Sequence, residues 1–137
     1  MGSVSTVEVP VARLTGPALD YAVAQAEGYE LRRLSRHWQL YRHGIKAGRF
    51  YAEKAPDFMV QQAGYWQPSV SWRQGGPLID LWITALNQQS ADTWMAYCDD
   101  SVGVGPTALI AVCRAIVAAE IGETVQVPEE LCGPIAA

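Results

Sequence analysis

The spacing of apolar residues in the first part of the chain predicts a strand and then a helix. Valines at every second position between residues 7 and 11 are typical of a short strand. Apolar residues then recur at helical spacing and predict a helix over about residues 17–27. Thr15 is a suitable cap for this helix, Pro17 fits its first turn, and Gly28 is placed to end it in a left-handed turn.

Residues 29–59 fit two patterns. Four apolar residues follow helical spacing, namely Leu31, Leu34, Trp38 and Tyr41. The stretches 38–42 and 49–52, however, are rich in aromatic residues and are separated by glycines, which favours two strands joined by a turn. We predict strands here, followed by a connection over residues 54–64.

Residues 66–77 concentrate side chains that commonly take part in recognition. We predict that this segment is a loop and that a short helix begins at Pro77, because a Gly-Gly pair precedes this proline and apolar residues follow it. Strands are predicted over residues 83–88 and 93–98, with residues 87–92 supplying the turn between them.

The broadest apolar face belongs to residues 106–121, which predict a buried helix. Pro106 suits its first position, and Gly122 suits its end. A last strand is predicted over residues 124–128. Helices mixed with hairpins, without βαβ repeats, predict an α+β fold in which the helices at about 17–27 and 106–121 pack on a small, mainly antiparallel sheet.

The composition supports a globular protein. A length of 137 residues, 50% of them hydrophobic and 18% charged, predicts a single domain over residues 1–137 with a proper core. No apolar run reaches the roughly 18 residues that span a bilayer. The first residues lack a signal-peptide pattern, although Gly2 and Thr6 fit the short myristoylation pattern, to which an ordinary start is the alternative.

The cysteines and the net charge narrow the setting. An odd number of cysteines without CxxC spacing favours a reducing compartment, so we expect a cytoplasmic protein; they are Cys98, Cys113 and Cys132. A net charge of −4 argues against general nucleic-acid binding. Seven of the ten Lys and Arg residues nevertheless lie between Arg32 and Lys54, whereas eight acids and one base follow Pro77. The basic segment is either a solvated surface or a docking face.

Residues 66–77 supply the candidate ligand site. Two tryptophans offer rings that stack on a base or a cation, Arg73 offers a fork for phosphate or carboxylate, and a helix N-terminus at Pro77 would attract an anion. The predicted ligand-binding residues are Trp66, Ser69, Ser71, Trp72, Arg73, Gln74, Gly75 and Gly76. The alternative is a packed loop whose tryptophans fill the core.

Other motifs carry less chemistry. Residues 103–107 lack the third glycine of a dinucleotide fingerprint and the lysine of a P-loop, so they predict a helix start. The histidines, His37 and His43, lack other ligands at metal-binding spacing. A Ser/His/Asp set drawn from Ser71, His43 and Asp80 lacks the Gly-x-Ser-x-Gly context. We therefore predict no catalytic residue, metal or cofactor.

Three blocks of the chain resemble the NinX-like family of small tailed-phage proteins. The first is residues 14–24 with Gly28-Tyr29, the second is Pro68-Ser69 with Trp72 and residues 74–79, and the third is residues 105–111 with Arg114, Val117, Ala118, Val125, Val127 and Pro128. The family usually has Thr-Asp before the tryptophan, where this chain has Val70 and Ser71, which removes a carboxylate. The resemblance implies a phage or prophage origin and expression in a bacterial host, and it implies no reaction.

These observations lead to a functional expectation with alternatives. We expect a non-enzymatic phage accessory protein that binds a small anionic, nucleotide-like ligand or a host protein through residues 66–77, in the manner of proteins that counter host defence. Docking on a host protein and processing of nucleotides are the alternatives. Five Trp and six Tyr residues leave homo-oligomerisation open.

Overall fold

The computed structural model describes residues 5–52, 55, 57–62 and 64–132. Within this part of the chain the fold is α+β, as predicted. The strands are Thr6–Pro10 (β1), Glu30–Arg33 (β2), Trp38–Arg42 (β3), Ile45–Phe50 (β4), Ala85–Ser90 (β5), Thr93–Cys98 (β6), Ser101–Gly105 (β7) and Thr124–Pro128 (β8). The α-helices are Gly16–Ala26 (α1), Asp57–Val60 (α2), Trp72–Trp82 (α3) and Ala108–Glu120 (α4).

The strands form antiparallel sheets, as predicted, and the hairpin predicted over residues 83–98 is present. The strand that pairs with β3 is Ile45–Phe50 rather than the predicted residues 49–52, and Gly48 lies within it rather than in the turn. Among the described residues there are three sheets rather than one: β1 with β8, then β2-β3-β4, then β5-β6-β7. The first joins distant parts of the chain, since Thr6 faces Pro128. The two three-stranded sheets are consecutive meanders, which explains why local sequence patterns reveal their hairpins.

The two main helices lie where the sequence places them and form the centre of the core. Gly28 has a φ of 87° and ends α1 in a left-handed turn, as predicted. Thr15 occupies the cap position of α1 but makes no side-chain hydrogen bond there. Helix α4 is buried along most of its length and packs on α1 and on the third sheet.

The start of α4 differs from the prediction. The helix begins at Ala108 rather than at Pro106, and the hydroxyl of Thr107 caps it by accepting a hydrogen bond from the Ile110 N–H at 3.2 Å. The preceding glycines belong to strand β7, which the sequence analysis missed. A side chain at Gly103 would meet the backbone of Ala111 and Ala115, so the strand needs glycine to approach the helix.

Two further assignments are corrected by the structure. Strand β2 was not predicted, because only one of its four residues is apolar. Residues 87–90 were predicted as a turn but lie in β5, and the turn is confined to residues 91–92. Strand β5 is almost entirely exposed at a sheet edge, where Asn, Gln and Ser are tolerated in a strand.

Two residues named in the predictions from sequence lie outside the described residues. They are Gly2 of the myristoylation pattern and Lys54 of the basic segment. Over the described ranges, the helices are all too short or too polar to cross a membrane.

Candidate functional site

Helix α3 begins earlier than the sequence predicted. Its first residue is Trp72, and the carbonyl of Ser71 accepts hydrogen bonds from the N–H groups of Gln74 at 3.1 Å and Gly75 at 2.7 Å. Pro77 lies inside the helix, so the prediction that it starts the helix is wrong. The residue before a proline is normally excluded from helical geometry by its Cβ, and Gly76 has none. The Gly-Pro pair therefore lets the helix continue.

Gly75, the first glycine of the Gly75-Gly76 pair, is required for packing. A Cβ at Gly75 would meet the carbonyl of Pro68 and would lie 2.8 Å from a methyl group of Leu109. Glycine is needed because α3 lies directly against the Pro68 backbone and near α4. Both glycines lie within the helix and do not present the predicted helix N-terminus at Pro77.

Gln74 holds the segment before α3 in place. Its amide oxygen accepts a hydrogen bond from the Gln67 N–H at 2.7 Å, and its amide nitrogen donates to the Tyr65 carbonyl at 2.6 Å. A single side chain thus satisfies a backbone donor and a backbone acceptor that flank Trp66. We call this pair of bonds the Gln74 clamp.

Trp66 and Ser69 are bound to one residue of helix α1, Asp20. The indole N–H of Trp66 donates to the Asp20 carbonyl at 2.8 Å, and the Ser69 N–H donates to an Asp20 carboxyl oxygen at 2.9 Å. The Trp66 ring also packs edge-on against Tyr29, with ring centroids 5.4 Å apart. These contacts fix Trp66 and Ser69 against helix α1. We call this side of residues 66–71 the packed wall.

Asp20 is a buried carboxyl group that the sequence analysis missed. Only 4% of its surface is exposed, and this burial raises its pKa to about 7. The N–H and the nearby hydroxyl of Ser69 oppose that rise, although the hydroxyl makes no hydrogen bond of regular geometry. The sequence did carry a signal for this buried acid, because Asp20 stands among the apolar residues of α1, between Leu19 and Ala22.

Three of the predicted residues line one pocket. Ser71, Arg73 and Gln74 share a pocket of about 340 Å³, and its other lining residues are Val60, Gln61, Gln62, Tyr65 and Gln67. We call this pocket the polar groove. Sequence spacing gave no signal for Gln61 and Gln62, which lie in the turn after α2.

The remaining predicted residues do not line the polar groove. Trp66, Ser69 and Gly75 are engaged in packing, and Gly76 lies beside the ring of Trp72. Trp72 is 59% exposed. The structure thus separates the predicted set into groove residues, packing residues and one exposed ring.

The groups in the groove are hydrogen-bond donors and acceptors rather than strong acids. Three amides are already paired, since Gln74 forms the clamp, Gln67 donates to the Val60 carbonyl at 3.3 Å and Gln62 accepts from Arg49 at 2.6 Å. Arg73 is exposed and makes no ion pair with any described residue. The guanidinium group of Arg73 therefore lines the groove without an ion pair to any described residue. The guanidinium group of Arg49 is held beside the groove by its hydrogen bond to the lining residue Gln62.

A second pocket adjoins the polar groove and shares three of its residues. Its volume is about 450 Å³, and the shared residues are Val60, Tyr65 and Gln67. The ring of Tyr51 lines it as well and lies nearly parallel to that of Tyr65, with centroids 6.3 Å apart and 5° between the planes. The polar groove is thus continuous with an aromatic surface.

Two positive charges of the basic segment are neutralised by ion pairs with described residues. Arg32 pairs with Glu30 at 2.6 Å and lies over the ring of Tyr41, 4.5 Å from its centroid. Arg33 pairs with Glu130, also at 2.6 Å. These contacts occupy charges that a docking face or a polyanion would otherwise use.

Metal chemistry has no support from the arrangement of ligands. In the part of the chain that the structure describes, no three His, Cys, Asp or Glu residues are grouped so that they could hold a metal ion.

Cys113 is fully buried. Its burial, and to a lesser extent the nearby charge of Asp20, raises the pKa of its thiol.

Comparison with protein families decides what kind of chain this is. Residues 10–120 match the family described as Bacteriophage P22, NinX. The chain belongs to the NinX family. The match covers all four described helices and therefore the polar groove, and it confirms the resemblance carried by the three sequence blocks. Comparison with curated proteins gives no significant match.

The structure explains several residues of the NinX resemblance without a ligand. Gln74 forms the clamp, Gly75 allows close packing, and Gly76 lets the helix pass through Pro77. Ligand binding by the eight predicted residues stays a prediction.

Proposed function

We propose that this NinX-family protein is a non-enzymatic phage accessory protein that binds a small anionic, nucleotide-like ligand in the polar groove. The observation that carries the proposal is that Ser71, Arg73 and Gln74 line one pocket whose edge also holds Arg49. Sequestering a nucleotide signal of host defence requires a pocket of this kind and no reaction.

The electrostatics of the groove favour an anion. Arg73 supplies a planar fork that matches the oxygens of phosphate or carboxylate. It is the second residue of α3, whose N-terminus carries partial positive charge. The Gln61 amide and the Ser71 hydroxyl add neutral donors at the same pocket.

The adjoining pocket favours a nucleotide over a bare anion. A volume of about 340 Å³ suits a small ligand, and the neighbouring pocket of about 450 Å³ offers the rings of Tyr51 and Tyr65. A phosphate at Arg73 with a base against these rings uses both pockets.

Binding without catalysis is supported by the types of side chain in the groove. Side-chain amides and guanidinium groups do not act as general acids or bases near neutral pH. Asp20, whose pKa is raised to about 7, is buried behind the Ser69 backbone rather than in the groove.

Docking on a host protein is the second candidate function. It is favoured by the exposure of Trp72 at 59% and of its neighbour Val70 at 63%. Exposed aromatic side chains of this kind are common anchors of protein interfaces.

Thermal-shift and calorimetric titrations with nucleoside mono- and diphosphates, cyclic nucleotides and inorganic phosphate test the ligand proposal. We expect a nucleotide to raise the melting temperature and Arg73→Ala to weaken its binding about tenfold or more, as loss of a charge-assisted contact does. Arg36→Ala is the matched control, since Arg36 is equally exposed and does not line the groove.

Two results would overturn the proposal. One is the absence of binding by any of these probes, and the other is equal loss of binding in the Arg73 and Arg36 variants. Ligand recovered after denaturation should be chemically unchanged, whereas recovery of product would assign the groove to an enzyme.

A further inference from the structure

A second site is offered by a pocket that shares no residue with the polar groove. It lies between β1, the start of α1 and the short 3₁₀ helix Glu129–Cys132 that follows β8, and its volume is about 360 Å³. We call it the β1 pocket. Its lining residues are Val7, Glu8, Val9, Pro10, Arg13, Leu14, Thr15, Ala18, Glu129 and Cys132.

The walls of the β1 pocket are mainly apolar. Leu14 and Ala18 are buried, and Val7 and Val9 are half-buried on the core-facing side of β1. Burial, and to a lesser extent the charge of Glu129, raises the pKa of the Cys132 thiol, so this residue contributes soft apolar surface rather than a reactive thiolate. An apolar side chain that enters the pocket exchanges contact with water for contact with these walls.

Two opposite charges line the same pocket. Arg13 and Glu129 are exposed, and neither makes an ion pair with the other or with any further described residue. Glu8 differs from them, because its carboxylate accepts a hydrogen bond from Gln126 at 3.4 Å. Side chains alternate along a strand, so this carboxylate lies on the face of β1 opposite to the valines. The pocket therefore offers one cation and one anion beside an apolar wall.

This pair of charges selects the ligand. A ligand that carries only a carboxylate would be repelled by Glu129, and one that carries only an ammonium group would be repelled by Arg13. A free α-amino acid carries both groups on one carbon atom. Its carboxylate matches the guanidinium fork, and its ammonium group donates to the carboxylate of the protein.

The volume of the pocket limits the length of the ligand. Pockets for small molecules cover about 300–1,000 Å³, and the β1 pocket lies at the small end of this range. It therefore suits a single amino acid better than a peptide or a long acyl chain.

We propose that the β1 pocket binds a free amino acid with an apolar side chain, of the kind represented by leucine, methionine and phenylalanine. The carboxylate of the ligand pairs with Arg13, and its ammonium group pairs with Glu129. Its side chain contacts Val7, Val9 and Leu14. Because Arg13 precedes α1 and Glu129 follows β8, the ligand links the two ends of the described chain and stabilises the folded state.

Thermal-shift and calorimetric titrations of the full chain with L-leucine, L-methionine and L-phenylalanine test this proposal. We expect saturable binding with a dissociation constant of about 1 mM or lower, and a melting temperature that rises with ligand concentration. N-acetyl-L-leucine lacks the ammonium group, L-leucinamide lacks the carboxylate, and glycine lacks the apolar side chain. Each should bind at least about tenfold more weakly than leucine.

Two variants assign the charged contacts. Arg13→Gln and Glu129→Gln should each weaken leucine binding at least about tenfold, since each removes one charge-assisted contact. The matched controls are Arg36→Gln and Glu120→Gln, which change equally exposed charges that do not line the pocket. They should bind leucine as the unmodified chain does. Circular dichroism verifies the fold of each variant, and the leucine derivatives decide the question on the unmodified chain if a variant does not fold.

Three outcomes contradict the proposal. They are the absence of binding by all three amino acids at up to about 10 mM, binding of the leucine derivatives as tight as that of leucine, and equal losses in the control variants. The β1 pocket and the polar groove have no lining residue in common, so this proposal and nucleotide binding fail independently.

Discussion

The two three-stranded sheets have the same topology but opposite outer faces. Both are antiparallel meanders that bury one face in the core. The outer face of β2-β3-β4 carries the charged residues Glu30, Arg32, Lys46 and Arg49. The outer face of β5-β6-β7 has no charge, and its residues include Ala85, Asn87, Met95, Tyr97, Val102 and Val104. This difference lies in the outward positions of the strands. Strand number and order therefore do not determine whether the outward face of a sheet is charged.

The core faces differ as well, through the distance at which each sheet packs. A side chain at Gly103 of β7 would meet the backbone of α4, whereas one at Gly48 of β4 would lie 3.2 Å from the Gly64 carbonyl. The third sheet is thus in closer contact with its helix than the second sheet is with its neighbours. This difference can be tested with matched substitutions.

We expect Gly103→Ala to be the most damaging change, lowering the free energy of unfolding by about 3 kcal/mol or more, because the new Cβ would lie 2.1 Å from the Ala111 carbonyl oxygen, whereas the closest atom to a Cβ at Gly48 is 3.2 Å away. Gly48→Ala should cost about 1 kcal/mol or less. Urea denaturation followed by tryptophan fluorescence measures both. Equal losses in the two variants would contradict the difference in packing.

The second prediction concerns Asp20, which joins α1 to the segment between the two sheets. Its pKa is raised to about 7 in the folded protein from 3.8, so the folded state binds more protons between these values. The contribution to stability is present at low pH and is lost as the pH rises towards 7. The expected loss between about pH 5 and about pH 8 is roughly 2–3 kcal/mol.

Asp20→Asn isolates this effect, because its amide oxygen still accepts a hydrogen bond from the Ser69 N–H. The variant should show a flatter dependence of unfolding free energy on pH than the unmodified chain, whatever its absolute stability. Denaturation curves at matched pH values provide the measurement. Parallel pH profiles for the two proteins would show that Asp20 titrates normally.

The smallest effects are expected for substitutions of Glu130 and Glu30, which form ion pairs with Arg33 and Arg32. Glu130 accepts hydrogen bonds from Arg33 at 2.6 Å and from the Trp38 indole at 3.0 Å, and these contacts lower its pKa. Glu130→Gln should lower the unfolding free energy by about 1 kcal/mol or less, since the pair is partly exposed and screened. Glu30→Gln, which breaks a fully solvated pair with Arg32, should leave the melting temperature unchanged. Calorimetry measures the melting temperatures of both variants. A larger loss of stability in Glu30→Gln than in Glu130→Gln would contradict this expectation.

Much of the fold could be predicted from the sequence because local signals agree with packing. The helices α1 and α4 are marked by broad apolar faces and by Gly28 and Gly122 at their ends. Strand β7 could not be found this way, since its glycines respond to the closeness of α4, which is a tertiary contact. The start of α3 was misplaced because a proline commonly marks the first residue of a helix, whereas Pro77 follows Gly76 inside the helix.

The site was predicted in part for similar reasons. Ser71, Arg73 and Gln74 are close in sequence, so their joint position in the groove follows from one helix start. Gln61, Gln62 and Tyr65 come from the region around α2, which carries no recognisable motif. Trp66 and Ser69 look like ligand residues in a linear sequence, and only their bonds to Asp20 show that they are held in the packed wall.

The Gln74 clamp has a consequence for the order in which the protein folds. Its two bonds close loops of seven and nine residues, whereas a side-chain bond between β1 and β8 joins residues 120 apart. Closing a short loop costs less chain entropy and occurs faster than closing a long one. The segment from Tyr65 to Gln74 can therefore take shape early, from one continuous stretch of chain, while the pairing of β1 with β8 has to wait for the rest of the protein.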